Sequence, residues 1–480
     1  MHEFLTTDIE TIKYRSALFT ELLADNALVS MFKEMLPNIE AFYEAQTIKD
    51  DRIDTESNLF VIREIELYIE CMGKLHKTMR SMRLNSDSLR GFRGAVSEIV
   101  ESANFISLKE SVNAMSFKIN GIKSVTFGAN LNSQFQPIEA GILSINDKPF
   151  SSGSIIDKFL RLGNVPETEV CISPLIPLQR GMSQMETVAL NGAFINALSG
   201  LLNKSVRTWR PVVAKYLLGA RGFLTDLLDE IRFVLAAVKC LDNLKKKGFS
   251  LCNAIIANKG DEVLAGLYNP LTALKMNSSE NMVLNDHRFD VNGMIYVLTG
   301  PNAGGKSVFL HGVGIAYAFF HLGLPIPANV ARLYPADGLF THFLKKDENL
   351  LGHSRFTEEC ERVGLIAKQL TNNSLFFFDE SLSGTSGTEA EYIAGEVLTA
   401  FGIKGARGIF ATHLHGLSTK TAEYSENQRN ISKIDNLCAD SEMTKNDERS
   451  FTILRKPSDG LSHARDIAKK YGLSIDEICP

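Results

Sequence analysis

The sequence predicts an α/β domain in its C-terminal half, preceded by a mainly α-helical region with a small β insertion. Three observations predict this. Up to about residue 116, apolar residues recur at three-to-four spacing, as at Ile62, Ile65, Ile69 and Met72, the period of a helix with one buried face. From 117 to 162, in stretches such as SFKINGIKSVTFGANL and GILSINDKPF, short β-rich runs are cut by Asn-Gly and Asp-Lys-Pro turns. After Gly260, strand-length apolar runs alternate with helical ones, as in a sheet covered by helices.

A chain of 480 residues exceeds one ordinary domain. We divide it into a first helical part at 1–116, the β-rich insertion at 117–162, an irregular segment with long helices at 163–260, the α/β domain at 261–456 and a closing segment at 457–480. Helices are expected over Thr11–Phe42 and Ser57–Met82. Within Arg210–Lys247, Leu224, Ile231 and Val238 stand seven apart, interleaved with Leu227, Val234 and Leu241. That stripe predicts one long helix of roughly 55 Å packed along a partner. Strands are expected at Met294–Thr299, Ser374–Phe378 and Gly408–Thr412.

A formal net charge of −5 gives no overall basic signature, so contact with nucleic acid must be local. Seven cysteines stand singly, which argues for a reducing cytoplasm and against a zinc site or disulfide framework. The opening MHEFLTTDIE lacks an apolar signal core. Val308–Pro327 is apolar enough to suggest a membrane span, but it carries His311 and His321 and follows a phosphate-binding motif. A buried helix explains it, and no membrane is expected.

That motif is Gly300-Pro301-Asn302-Ala303-Gly304-Gly305-Lys306-Ser307, set between the apolar run MIYVLT and a helical pattern. Its glycines let backbone N–H groups close around phosphate oxygens, and the helix that follows adds its positive end. Lys306 should bridge the outer phosphates of ATP, and the Ser307 hydroxyl should ligate Mg²⁺. Leu375-Phe-Phe-Phe-Asp-Glu380 is the matching acidic strand end, with Asp379 and Glu380 at the carboxyl edge of a central strand. Asp379 would hold Mg²⁺ through water, and Glu380 would orient and polarise the attacking water. The strand GIFAT delivers His413 to the same edge, where it would sense the γ-phosphate.

Together these segments resemble the MutS family, whose phosphate loop is Gly-Pro-Asn, a small or Met residue, then Gly-Gly-Lys-Ser. The resemblance places Asn302 near the γ-phosphate or the nucleophilic water. MVLND (282–286) is similar to the family's Asn-Asp segment. Ser354-Arg-Phe-Thr-Glu-Glu359 matches a motif segment at Ser354, Phe356 and Glu359, and Gly384-Thr385-Ser386 and ATHLHGL match two more. By this resemblance Ser354 contacts the nucleotide held by a second subunit, and 457–480 is a dimerising helix-turn-helix. The specific matches cover about 265–480, and the helical half matches only in general character.

Two substitutions depart from the family. Ser383 stands where an arginine is usual, and Arg355 follows the motif serine. The mismatch-reading, connector and nuclease domains of the family are not expected in this sequence. Phe42-Tyr43-Glu44 is similar to the mismatch wedge but sits in a helical stretch and is read as scaffold. Leu382-Ser383-Gly384 is similar to a transporter signature, yet it follows the acidic strand instead of preceding it.

Two basic runs are the tentative DNA contacts. Lys74, Lys77, Arg80, Arg83, Arg90 and Arg93 form one; Lys204, Arg207, Arg210, Lys215 and Arg221 form the other. Either would neutralise phosphates without reading bases. The expected protein is a cytoplasmic, homodimeric Mg-ATPase acting on DNA as an ATP-driven clamp in repair or recombination. The alternative is a nucleotide-switched scaffold for a protein or ribonucleoprotein. A transporter-type ATPase is disfavoured because no signature precedes Asp379.

Overall fold

A computed structural model describes residues 4–47, 56–120, 124–134, 137–146, 148–149, 151–152, 170–171, 221–301, 304–343, 355–440 and 450–457. Contacts divide the chain into two units, Met1–Asn26 with Asn85–Ser88 and Phe233–Pro480, and Ala27–Leu84 with Leu89–Arg232.

Helix α1 (Ile9–Ala24) starts at Asp8, whose carboxylate accepts the Thr11 N–H at 2.7 Å, and it stops at the extended residue Asp25. The helical stretch Thr11–Phe42 therefore spans two helices, with α2 at Asn26–Thr47. Next come α3 (Glu56–Ser81), α4 (Asp87–Glu101) and α5 (Ala103–Asn120). The three-to-four stripe of α3 is buried at Ile65, Met72, Leu75 and Met79. Phe42 is fully buried, with its ring 6.0 Å from Tyr68, and Tyr68 lies 5.9 Å from Phe105. Phe42 is thus part of a hydrophobic core. Because α5 runs to Asn120, the β insertion begins later than expected. It is an antiparallel pair of β1 (Ser124–Leu131) and β2 (Pro137–Asn146), followed by two-residue strands β3 (Ser151–Ser152) and β4 (Val170–Cys171). Helix α6 (Arg221–Lys246) carries the seven-residue stripe, with Leu224, Ile231, Val238 and Leu241 buried.

In the first unit, β5 (Ile255–Ile256), β6 (Asp261–Leu267), β7 (Asn285–Asp290) and β9 (Val330–Leu333) form a four-stranded sheet of order β5-β9-β6-β7. The sequence reading missed this sheet, whose strands are short and half exposed. A six-stranded sheet has the order β10-β11-β12-β8-β13-β14. Its strands are β8 (Ile295–Thr299), β10 (Leu339–Phe343), β11 (Leu375–Asp379), β12 (Arg407–Ala411), β13 (Ile434–Ala439) and β14 (Ile453–Leu454). All pairings are parallel except β13 with β14.

The connecting helices are α7 (Pro270–Lys275), α8 (Lys306–Leu322), α9 (Arg355–Gln369), α10 (Gly387–Lys404), α11 (His415–Thr419) and α12 (Thr421–Ser425). Successive strand residues point to opposite faces, so the central strands feed two cores. Tyr296, Leu298, Phe377 and Ile409 join Leu310, Val313 and Phe320 of α8 on one face. Ile295, Val297, Phe376, Phe378 and Phe410 join Val363 of α9 and Leu398 and Phe401 of α10 on the other. The apolar Val308–Pro327 is therefore mostly the buried helix α8. No helix among the described residues is long and apolar enough to cross a membrane.

Ile12 of α1 belongs to the α8 core, and Thr6 N–H donates to the His321 carbonyl at 3.1 Å. The first helix is therefore grouped with the α/β unit, whereas the division drawn along the sequence placed it with the helices. Helical periodicity reveals that a face is buried but not what covers it. The two sheets are tied by a buried triad, in which Glu262 of β6 accepts from Arg407 of β12 and from the Tyr317 hydroxyl of α8. These three side chains lie out of solvent, so removing one partner would leave a charge or polar group uncompensated.

Candidate nucleotide-binding site

Three neighbouring parallel strands end together at the carboxyl edge of the large sheet. Asp379 pairs with Ala411, and Ala411 pairs with Leu298. The segments that follow them, Gly300–Ser307, Glu380 and His413, therefore leave the sheet side by side.

The glycine segment is shaped by backbone. Gly300 has φ 130°, and a Cβ there would lie 2.7 Å from the Ala439 Cβ and 2.9 Å from its carbonyl oxygen. Gly305 has φ 90° and caps α8 without a side-chain hydrogen bond. The first-turn N–H groups of α8 therefore lack intrahelical acceptors, an arrangement that suits an anion because the helix dipole is positive at this end. Lys306 is buried, and its ammonium donates to the carbonyls of Gly300 at 2.9 Å and Pro301 at 3.1 Å. Ser307 follows in the first turn of α8. Asn302 and Ala303 lie outside the described residues.

The acidic side is shaped by side chains. The Asp379 Oδ1 is buried and has no hydrogen-bond partner among the described residues. Glu380 has φ 54°, its N–H donates to the Ala411 carbonyl at 2.9 Å, and its Oε1 contacts Nε2 of His413. His413, read from sequence as a γ-phosphate sensor, thus touches the acid beside it. The Ser307 hydroxyl and an orphaned carboxylate oxygen suit Mg²⁺, which keeps several waters and takes its other oxygens from phosphate.

Gly304, Gly305, Lys306, Ser307, Glu380 and His413 line one cavity of about 690 Å³, which continues past Tyr268, Asn269, Met282 and Phe451. Sequence reading missed these last residues as site components. Asn269 was the most legible of them, because Asn before Pro is a helix-start signal. Its Oδ1 caps α7, and its Nδ2 donates to the Val308 carbonyl at 3.0 Å, tying α7 to α8. Asn285, in the Asn-Asp segment, accepts the Ile453 N–H at 2.7 Å and donates to the Phe451 carbonyl at 3.3 Å. It secures the segment that carries Phe451, just before β14.

Gly384 lies close to Phe356; a Cβ there would be 3.2 Å from that residue's Cα, so two separate motif segments meet. Ser354 falls outside the described residues, as do Lys204, Arg207, Arg210, Lys215 and 458–480; of Arg355 and Arg221 only the backbone is described. Lys74, Lys77 and Arg80 are exposed on α3.

The family described as MutS2 N-terminal domain matches residues 7–247, half of the chain, and MutS domain V matches residues 296–478. The chain belongs to the MutS family. Its helical half is of the MutS2 type, and its C-terminal half is the ATPase domain of that family. The DNA mismatch repair protein MutS of Prochlorococcus marinus (strain MIT 9301) is 35% identical over 211 residues, covering 41% of this chain and 23% of that protein. The probable DNA mismatch repair protein Msh6 of Drosophila melanogaster is 38% identical over 121 residues, covering 25% and 10% respectively. The MutS of Thermotoga maritima is 28% identical over 200 residues, covering 42% and 23%. The match thus spans about a quarter or less of each of these relatives.

Proposed function

We propose that this protein is a Mg-ATPase that acts on DNA as an ATP-switched dimeric clamp, with shape-defined DNA such as junctions or branched intermediates as its substrate. The observation that carries the reading is the convergence of Lys306, Ser307, Glu380 and His413 on one cavity. The backbone of Gly300–Gly305 and the dipole of α8 would receive the phosphates of ATP. The Lys306 ammonium has three donors and would turn from loop carbonyls toward the outer phosphates. Ser307 and Asp379 would hold Mg²⁺, which supplies charge neutralisation on the phosphates. Glu380, steadied by His413, would orient the attacking water, and Asn302 would stand beside it. Ser354 would reach the nucleotide of a second copy, so each site would be completed by two chains.

DNA contact rests on the exposed Lys74, Lys77 and Arg80 and on the names of the relatives. ATPase activity and binding, measured with duplex, mismatched and branched DNA at several salt concentrations, test the reading. Branched DNA should stimulate turnover most, and affinity should fall steeply with salt because phosphate contacts dominate. Mismatched and perfect duplexes should bind within about tenfold of one another, the range of a single base-pair effect. Binding to no DNA at low salt would favour a nucleotide-switched protein or ribonucleoprotein scaffold instead.

A further inference from the structure

Behind the acidic strand end lies a buried pair that the sequence motifs do not account for. Glu380 at φ 54° and Leu382 at φ 63° are both in the left-handed region, which residues with a Cβ adopt only when their surroundings impose it. Between them Ser381 is buried, and its Oγ lies 2.6 Å from Nδ1 of His342 and 3.3 Å from the His342 carbonyl oxygen. A hydroxyl has one proton to give. Both contacts are met when Nδ1–H donates to Oγ and Oγ–H donates to the carbonyl. That assignment leaves Nε2 bare, and Nε2 has no hydrogen-bond partner among the described residues.

His342 is fully buried on β10, opposite Phe378, one residue before Asp379 of β11. Its burial, and then the charge of Arg362, pulls the imidazole down to about 4, so it is neutral at physiological pH. The pair crosses from one strand to the turn that leaves the next, 39 residues away in sequence.

We propose that His342 and Ser381 act as a clamp that fixes the left-handed turn Glu380-Ser381-Leu382 and so holds the Glu380 carboxylate at its working position. Both are positioning residues for hydrolysis and not for nucleotide binding. This rests on the reading that Glu380 orients the attacking water. The clamp matters because a displacement of about 1 Å in a reacting group costs up to a hundredfold in rate, whereas Lys306 and the glycine segment stand on another strand.

The test is steady-state hydrolysis of MgATP by the full chain, with ATP affinity measured separately. Ser381→Ala should lower kcat about tenfold, the rate equivalent of one buried hydrogen bond, and leave KM and ATP affinity within about twofold. His342→Leu should do the same, while His342→Asn, whose amide N–H overlays Nδ1–H, should recover most of the lost rate. A merely structural role would lower affinity and kcat together and would give no recovery with Asn; that result overturns the clamp. If Ser381→Ala and His342→Leu keep the parental kcat while Glu380→Ala does not, the clamp is wrong and the water-orienting reading stands. If Glu380→Ala itself keeps the parental kcat, that reading falls and the clamp with it.

Discussion

The two sides of the candidate nucleotide cavity are built by opposite means. On the glycine side, unusual backbone falls on residues without a Cβ, at Gly300 and Gly305, and the groups on offer are backbone N–H donors and one ammonium. On the acidic side, left-handed backbone falls on Glu380 and Leu382, which carry side chains, and a buried Ser381–His342 contact holds the turn. The glycine side is at ease in its shape and is suited to gripping phosphate. The acidic side holds strain, and such strain persists only where the neighbourhood over-determines it. Changes on the first side should therefore alter binding, and changes on the second should alter turnover.

The largest effect expected is on the glycine side. Lys306→Ala should weaken ATP binding by about a hundredfold or more, the scale of a lost charge-assisted contact; an unchanged ATP dissociation constant in titration calorimetry would break the comparison. Gly300→Ala should act in the same direction, because its Cβ would meet Ala439 at φ 130°.

A mixing experiment carries the comparison to two chains. A Lys306→Ala chain mixed with a Ser354→Ala chain should regain some turnover, since one site of the mixed dimer carries both lesions and the other neither. Heterodimers that form yet restore nothing would place Ser354 in its own chain's site or require both sites to fire together.

Leu382 offers a smaller and sharper test. Truncating a buried leucine to Ala costs about 2–5 kcal/mol, and Gly ordinarily costs about 1 kcal/mol more than Ala through chain entropy. At φ 63° that order should invert or vanish, with Leu382→Gly melting at or above Leu382→Ala. The usual order would show that the turn is not held in the left-handed region.

The last effect concerns pH and appears only in acid. His287 is buried beneath the glycine side against Phe289, Tyr296 and Phe309, and burial pulls its imidazole from 6.5 to about 3. Above pH 6.5 the ring is neutral in both folded and unfolded chains and contributes no slope. Below it the unfolded chain takes up a proton that the folded chain refuses, so stability falls with pH down to about 3. His287→Gln should flatten the melting temperature over that window; an unchanged slope would mean that the ring is not buried neutral.

The glycine segment and acidic strand end of the candidate site were legible in the sequence because their parts are local. A glycine run between an apolar strand and a helix, and four apolar residues ending in Asp-Glu, each declare their place on a sheet edge. The supports were not legible, because they join distant segments. Ser381 meets His342, Asn269 meets Val308 and Asn285 meets Ile453, and no spacing rule pairs them. The four-stranded sheet escaped for a related reason. Strands of alternating exposure such as β7 are held by partners across the sheet more than by their own pattern.

The most direct test of the account separates binding from chemistry at Glu380. Nucleotide affinity and single-turnover hydrolysis should be measured on the same preparation of Glu380→Ala, with Mg²⁺ and ATP. The ATP dissociation constant should stay within about threefold of the parental value and the hydrolysis rate should fall by about a hundredfold or more, since a group acting only on the attacking water affects the barrier. Hydrolysis at the parental rate would contradict it.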